Sequence, residues 1–154
     1  SHNTIQFDDR DQMPKFSRFL FGSWLQVKQV SNIKISNDKV SCFASYIDFK
    51  RAEHSRSIEL TQQSLKVHDF VQGFEDKAVI RWRLNKDSWN IKNFKNQVQV
   101  SNGKSILIVK SNINIARAEI TNGWESHYYM KKNSVSVLEV EINNHGSFTS
   151  EFCW

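Results

Sequence analysis

The sequence contains one proline, five glycines and two cysteines in 154 residues. That scarcity excludes several classes at once. Collagen-like and low-complexity disordered chains need far more proline and glycine. A disulfide scaffold needs more cysteine, and Cys42 and Cys153 lack the spacing of a metal knuckle. They read as free thiols, with one bridge between them as the alternative. No apolar run approaches the ~18 residues of a membrane-spanning helix. The first residues lack a basic stretch followed by an apolar core, so no signal peptide is read. The few glycines leave little room for a phosphate-cradling loop, and no Gly-x-Ser-x-Gly elbow occurs. His2, His54, His68, His127 and His145 do not fall in ligand spacing, so spacing alone gives no metal site.

What is present is an ordinary globular balance, with 39% hydrophobic and 24% charged residues. The length fits one domain over residues 1–154. A net charge of +5 favours anionic partners. Lys and Arg are scattered and form no basic stripe, so neither nucleic acid nor a membrane is expected as a partner.

A two-residue period dominates. Ile80, Trp82 and Leu84 share one face of a strand, and Arg81 and Arg83 the other. Ile58 and Leu60, then Val98 and Val100, repeat the rule, as do Leu65, Val67 and Asp69. Ile113 and Ile115 also alternate with polar neighbours, and Val135 and Val137 do so until Leu138 and Val140 shift the face. Ile106 through Val109 and Cys42 through Ile47 are nearly continuous apolar runs, read as strands covered on both faces. The expected core is Ile58, Leu60, Ile80, Trp82, Leu84, Val98, Val100, Ile106 and Ile108. Turns are expected at Asn37-Asp38, Gln72-Gly73, Asn85-Lys86-Asp87, Ser101-Asn102-Gly103, Thr121-Asn122-Gly123 and Asn143 to Gly146. Between Asp11 and Leu25 the apolar spacing allows a short helix or an irregular loop. Ten or more short strands with regular turns predict an all-β, two-sheet antiparallel sandwich.

Candidates for chemistry are few. His68 and Asp69 are adjacent on a strand and point to opposite faces, which weakens a dyad. Asp8-Asp9 and Glu139/Glu141 read as solvated charge. Arg81 and Arg83, about 7 Å apart along a strand, suit either an acidic polymer or cross-strand carboxylates. Trp124, Tyr128 and Tyr129 lie close together in sequence and suit either sugar stacking or a packed sheet corner.

The opening His2-Asn3-Thr4-Ile5, followed by Asp9-Arg10-Asp11-Gln12, resembles a signature of the C-terminal domain of heparinase II/III-type polysaccharide lyases. Glu53 to Ile58 resembles that family's His-x-Arg strand, and Val67 to Gly73 its Ile-x-Asp-x-Val-x-Gly strand and turn. Arg81 to Leu84 is similar to its Arg-Phe-His-Leu. Gly123 to Tyr129 is similar to its Ser-x-x-Tyr-Gly stretch, with Met130 in place of glycine. The likeness spans nearly the whole chain, in matching order.

The resemblance implies a toroid-plus-sandwich lyase that cleaves uronic-acid polymers by β-elimination, with this chain as its C-terminal fragment. An ordered start at Ile5 and Phe7 and an end on Phe152-Cys153-Trp154 fit an excised piece. The family's catalytic groups would precede Ser1, so no residue here matches one. His2 corresponds to a structural zinc ligand of zinc-bearing members whose partner ligands lie upstream. No cofactor is expected in this chain by itself. Expected partners are an acidic polysaccharide, touched by Arg81, Arg83, Trp124 and Tyr128, and the upstream helical toroid. Location would be periplasmic or extracellular. A stand-alone carbohydrate- or protein-binding sandwich is the alternative function.

Overall fold

The computed structural model describes residues 2–128 and 130–154, and only the backbone of His127. Tyr129, an expected sheet-corner aromatic, lies outside the described residues. Among the described residues thirteen strands follow in order: β1 (Ile5–Phe7), β2 (Gln26–Val30), β3 (Lys34–Ser36), β4 (Lys39–Ile47), β5 (Glu53–Leu60), β6 (Ser64–Gln72) and β7 (Ala78–Arg83). Then come β8 (Asn90–Phe94), β9 (Gln97–Ser101), β10 (Ile106–Ser111), β11 (Arg117–Tyr128), β12 (Lys131–Ile142) and β13 (Gly146–Cys153). Among the described residues there is no helix.

The strands form two antiparallel sheets, as the period-two pattern predicts. A small sheet runs β1-β7-β12-β11. A large one runs β2-β4-β5-β6-β13-β10-β9-β8, with β3 also paired to β4. The core lies between them. Ile5, Ile80, Leu138, Val140 and Ile142 come from the small sheet, and Val67, Val71, Val98, Val100, Leu107, Val109 and Phe148 from the large one. Trp82 reaches across, its Nε1 donating to Ser150 Oγ at 3.0 Å.

Several expectations need correction. Ile106 and Leu60 are 41% and 42% exposed, and Ile108 and Ile58 are half-buried. Leu107 and Val109 take the inward positions of β10, because Leu107 pairs with Val100 and Val109 with Val98. The run Ile106–Val109 is therefore covered fully on one face only, and in Cys42–Ile47 it is Ser45 that is buried while Ala44 is exposed. Ile113 and Ile115 pack on the core from a loop rather than a strand. Asn122-Gly123 makes no turn: β11 runs through it, with Asn122 facing Ser136 and Gly123 facing Val135. A long ladder outweighs a local turn preference. Residues 13–25 form an irregular loop with one bridge between Lys15 and Phe21. An apolar helical face there would have nothing in this domain to pack on. Cys42 and Cys153 are both free thiols.

Candidate functional site

The dispersed motifs meet at one corner, where β1, β5, β6 and β7 approach each other. Asn3 joins the two sheets. Its side-chain Oδ1 accepts the Arg83 backbone N–H at 2.7 Å, and its carbonyl accepts Arg56 Nη1 at 2.6 Å. Gln12 Nε2 donates to Thr4 Oγ1 at 3.0 Å and to the Tyr46 hydroxyl at 2.9 Å. Tyr46 stands edge-on to the His54 ring, with centroids 5.3 Å apart.

Behind them lies a buried ion-pair group. Asp69, facing Arg56 across the β5–β6 ladder, has its Oδ1 2.6 Å from both His54 Nε2 and Arg56 Nε. Burial alone would raise its carboxyl pKa, and the hydrogen bonds from His54 and Arg56 outweigh that and hold it below the ordinary value. Burial pushes the Tyr46 phenol up, which keeps its proton on. Asp69 thus holds both side chains in place, and Arg56 carries the Asn3 carbonyl. Sequence adjacency pointed to His68 beside Asp69. The partner is His54, fifteen residues away and diagonal to Asp69 on the same face of the β5–β6 ladder, which a hairpin register for β5 and β6 would have revealed.

Arg10 is anchored in the same region. Its Nε and Nη2 donate to Asp48 Oδ2 at 3.0 and 2.7 Å, and Nη1 bonds Asp8. A cleft of about 220 Å³ opens there, and its lining includes His2, Gln6, Arg10, Gln12 and Arg81. Two sequence candidates, His2 and Arg81, thus share one cleft. Zinc does not fit the residues present. His2 supplies one ligand where a structural site takes four. Among the described residues, no three His, Cys, Asp or Glu side chains are grouped to hold a metal.

Arg81 and Arg83 do share the outer face of the small sheet, and each holds a glutamate. Arg81 Nε donates to Glu139 Oε1 at 2.6 Å, and Arg83 Nη2 to Glu125 Oε2 at 2.6 Å. Arg117 joins with bonds to Glu139 and Glu141 at 3.0 and 3.2 Å. Burial raises the Glu139 carboxyl pKa and the two arginines bring it below the ordinary range. The geometry realises the cross-strand pairing, and neither guanidinium offers an unpaired charge.

Trp124 and Tyr128 sit near the end of the β11–β12 hairpin, 53% and 72% exposed. They do not form a packed corner. The Lys132 ammonium lies 4.6 Å from the Trp124 ring centroid, and Lys131 beside it is exposed. An open aromatic face next to ammonium groups can stack on a sugar ring and meet its anionic substituents.

The family pattern described as heparinase II/III-like, C-terminal, matches residues 1–154. The chain belongs to this heparinase II/III-like C-terminal family. Its fold is similar to that of a heparinase III solved with methylated lysines (TM-score 0.72, 12% identity), covering 99% of this chain and 23% of that one. It is likewise similar to the heparan sulfate lyase HepC from Pedobacter heparinus (TM-score 0.69, 18% identity), covering 99% and 24%. By sequence alone no curated protein matches. The chain therefore spans about a quarter of the solved chains it matches. In this heparinase II/III-like domain, the signature segments His2-Asn3-Thr4, Gln12, His54-x-Arg56 and Asp69 are one hydrogen-bonded corner.

Proposed function

We propose that the chain serves as the non-catalytic C-terminal sandwich of a polysaccharide lyase that acts on uronic-acid-containing acidic glycans. The family match over all 154 residues carries this reading. The likeness to a protein named as a heparan sulfate lyase supports the substrate class. In β-elimination a base takes the proton α to the uronate carboxylate. The bond to the 4-linked oxygen then breaks, with its electrons leaving on that oxygen and a double bond forming in the sugar. Those steps need several positioned groups at once. In this reading they fall to the upstream toroid of the longer chain. This domain supports that toroid and presents the β11–β12 hairpin to the polymer, with Trp124 and Tyr128 as stacking rings. In the longer protein His2 would lend one imidazole to a structural zinc completed by residues outside this chain.

The test compares the complete reading frame with the 154-residue chain on uronate polymers. The longer product should generate the absorbance of unsaturated uronate, and the short chain none. Cleavage by the short chain would overturn the non-catalytic role. A longer product inert on every acidic glycan tried would overturn the lyase reading. Retention of the short chain on a heparin column, lost on Trp124→Ala with Tyr128→Ala, would mark the alternative of a glycan-binding module in its own right.

A further inference from the structure

The two sheets differ greatly in width. At about 4.8 Å per strand spacing, the eight-strand path of the large sheet spans roughly 34 Å and the small sheet roughly 14 Å. The small sheet is therefore too narrow to cover its partner. Its position is fixed by contacts. Trp82 on β7 bonds Ser150 on β13, while Asn3 beside β1 bonds Arg56 on β5. The segment after β1 covers Tyr46 at one end of β4 through Gln12, and past it the inward residues of β2, β3 and the far end of β4 are exposed.

The uncovered part of the large sheet is built like a core. Val27 faces Tyr46, Val30 faces Ala44, and Ile35 faces Val40, which faces Leu60. These pairs continue the inward face, since Tyr46 faces His54 and His54 faces Val71, which is fully buried. Yet Val27, Val30 and Ile35 are 71%, 67% and 78% exposed. The loop before β2 adds Phe19 and Trp24, 84% and 75% exposed. On the opposite side of the same strands the ion pairs Lys28–Glu53 and Lys39–Glu59 lie beside half-buried Ser41, Ser55 and Ser57, and its apolar residues Phe43 and Ile47 are half-buried as well. The fully open valines and isoleucine are therefore on the inward side, where a large exposed apolar patch marks a contact surface.

We infer that the exposed part of this inward face, formed by Val27, Val30, Ile35, Val40 and Leu60 with the loop before β2, is the docking surface for the rest of a longer polypeptide. The occupant is an uncharged, aliphatic- and aromatic-rich layer of the same chain. The inference rests on the reading of this chain as part of a longer lyase, whose solved relatives carry about three quarters of their length outside the part it matches. The layer packs on the face and does not extend the small sheet, because the free edge of β1 is closed. Phe7 O accepts the Arg10 N–H at 3.0 Å, and Ile5 O accepts Gln12 Nε2 at 3.4 Å.

Thiol labelling tests this. In a Cys42→Ala, Cys153→Ser background, Ile35→Cys reports the face, and Lys104→Cys reports the exposed β9–β10 turn. In the 154-residue chain both thiols should be alkylated at similar rates. In the product of the complete reading frame, the thiol at position 35 should slow at least about tenfold while that at 104 does not. Equal labelling in the longer product overturns the inference, and the lyase reading stands if that product still cleaves uronate polymers. Protection in the short chain that rises with concentration assigns the face to a second copy, and also overturns it. A reading frame no longer than 154 residues would overturn the lyase reading and this inference together.

Discussion

Asp69 is the residue on which the motif corner depends. It is fully buried and neutralises Arg56 and its own charge there, and an uncompensated charge at such a position is costly. Asp69→Asn is expected to lower stability by about 3 kcal/mol in urea denaturation. His68→Asn, one residue away and exposed, should change it by under about 0.5 kcal/mol. Asp8 sets the acid limit differently. Burial raises its carboxyl pKa, but the backbone N–H groups of Lys77, Asp76 and Glu75 and the Arg10 guanidinium outweigh it and hold the group at about 2. Because the folded value is depressed, the stabilisation is full above the unfolded value of 3.8 and is lost as pH falls towards 2. Denaturation midpoints should fall across that window, and Asp8→Asn should flatten the fall while lowering the plateau at neutral pH. Parallel acid limbs for the two proteins would sink this assignment.

Among the elements, turns and hairpins carry the sharper contrasts. Gly73 follows β6 with φ of +76°, and a Cβ there would lie 2.6 Å from the Arg51 carbonyl oxygen. Gly103 has φ of +83° with open space around it. Gly103→Ala should cost about 1 kcal/mol from backbone strain alone. Gly73→Ala should cost at least about twice that, since the carbonyl must also move. The β11–β12 hairpin behaves in the opposite way. Trp124→Ala with Tyr128→Ala removes two exposed rings and should shift the thermal midpoint little, by under about 0.5 kcal/mol in stability. Binding of the complete protein to acidic glycan should weaken several-fold. Unchanged affinity would return the hairpin to a purely structural role.

At the scale of the whole molecule, burial is uneven, and substitution costs should follow it. Phe148 is fully buried between the sheets, and Phe148→Ala should cost about 3–5 kcal/mol. Leu60 lies on the same inward face but past the reach of the small sheet. Leu60→Ala in this chain should cost under about 1 kcal/mol. If the uncovered face is closed in the complete protein, the same substitution should cost more there. Paired denaturation curves of the two proteins measure that difference directly.

The alternation of Ile80, Trp82 and Leu84, and of Val98 and Val100, determined strands and their inward faces, because side chains in a strand change face at every residue. Turn residues at Asn37, Gln72-Gly73 and Asn102-Gly103 likewise determined where strands end, since few residues tolerate positive φ. The ordered motifs determined the family. Depth of burial was decided only by tertiary structure. Leu60 has core chemistry, but its cover depends on how far the opposite sheet extends, and Ile106 is turned outward because Leu107 and Val109 take the inward positions of its strand; no local pattern encodes either. Partnership was decided there too. Asp69 meets His54 and Arg56, and Arg81 and Arg83 meet Glu139 and Glu125, through registers between strands 13 to 58 residues apart. Such registers are set by the packing of whole faces against each other, so the charges that seemed open in the sequence were already matched in the fold.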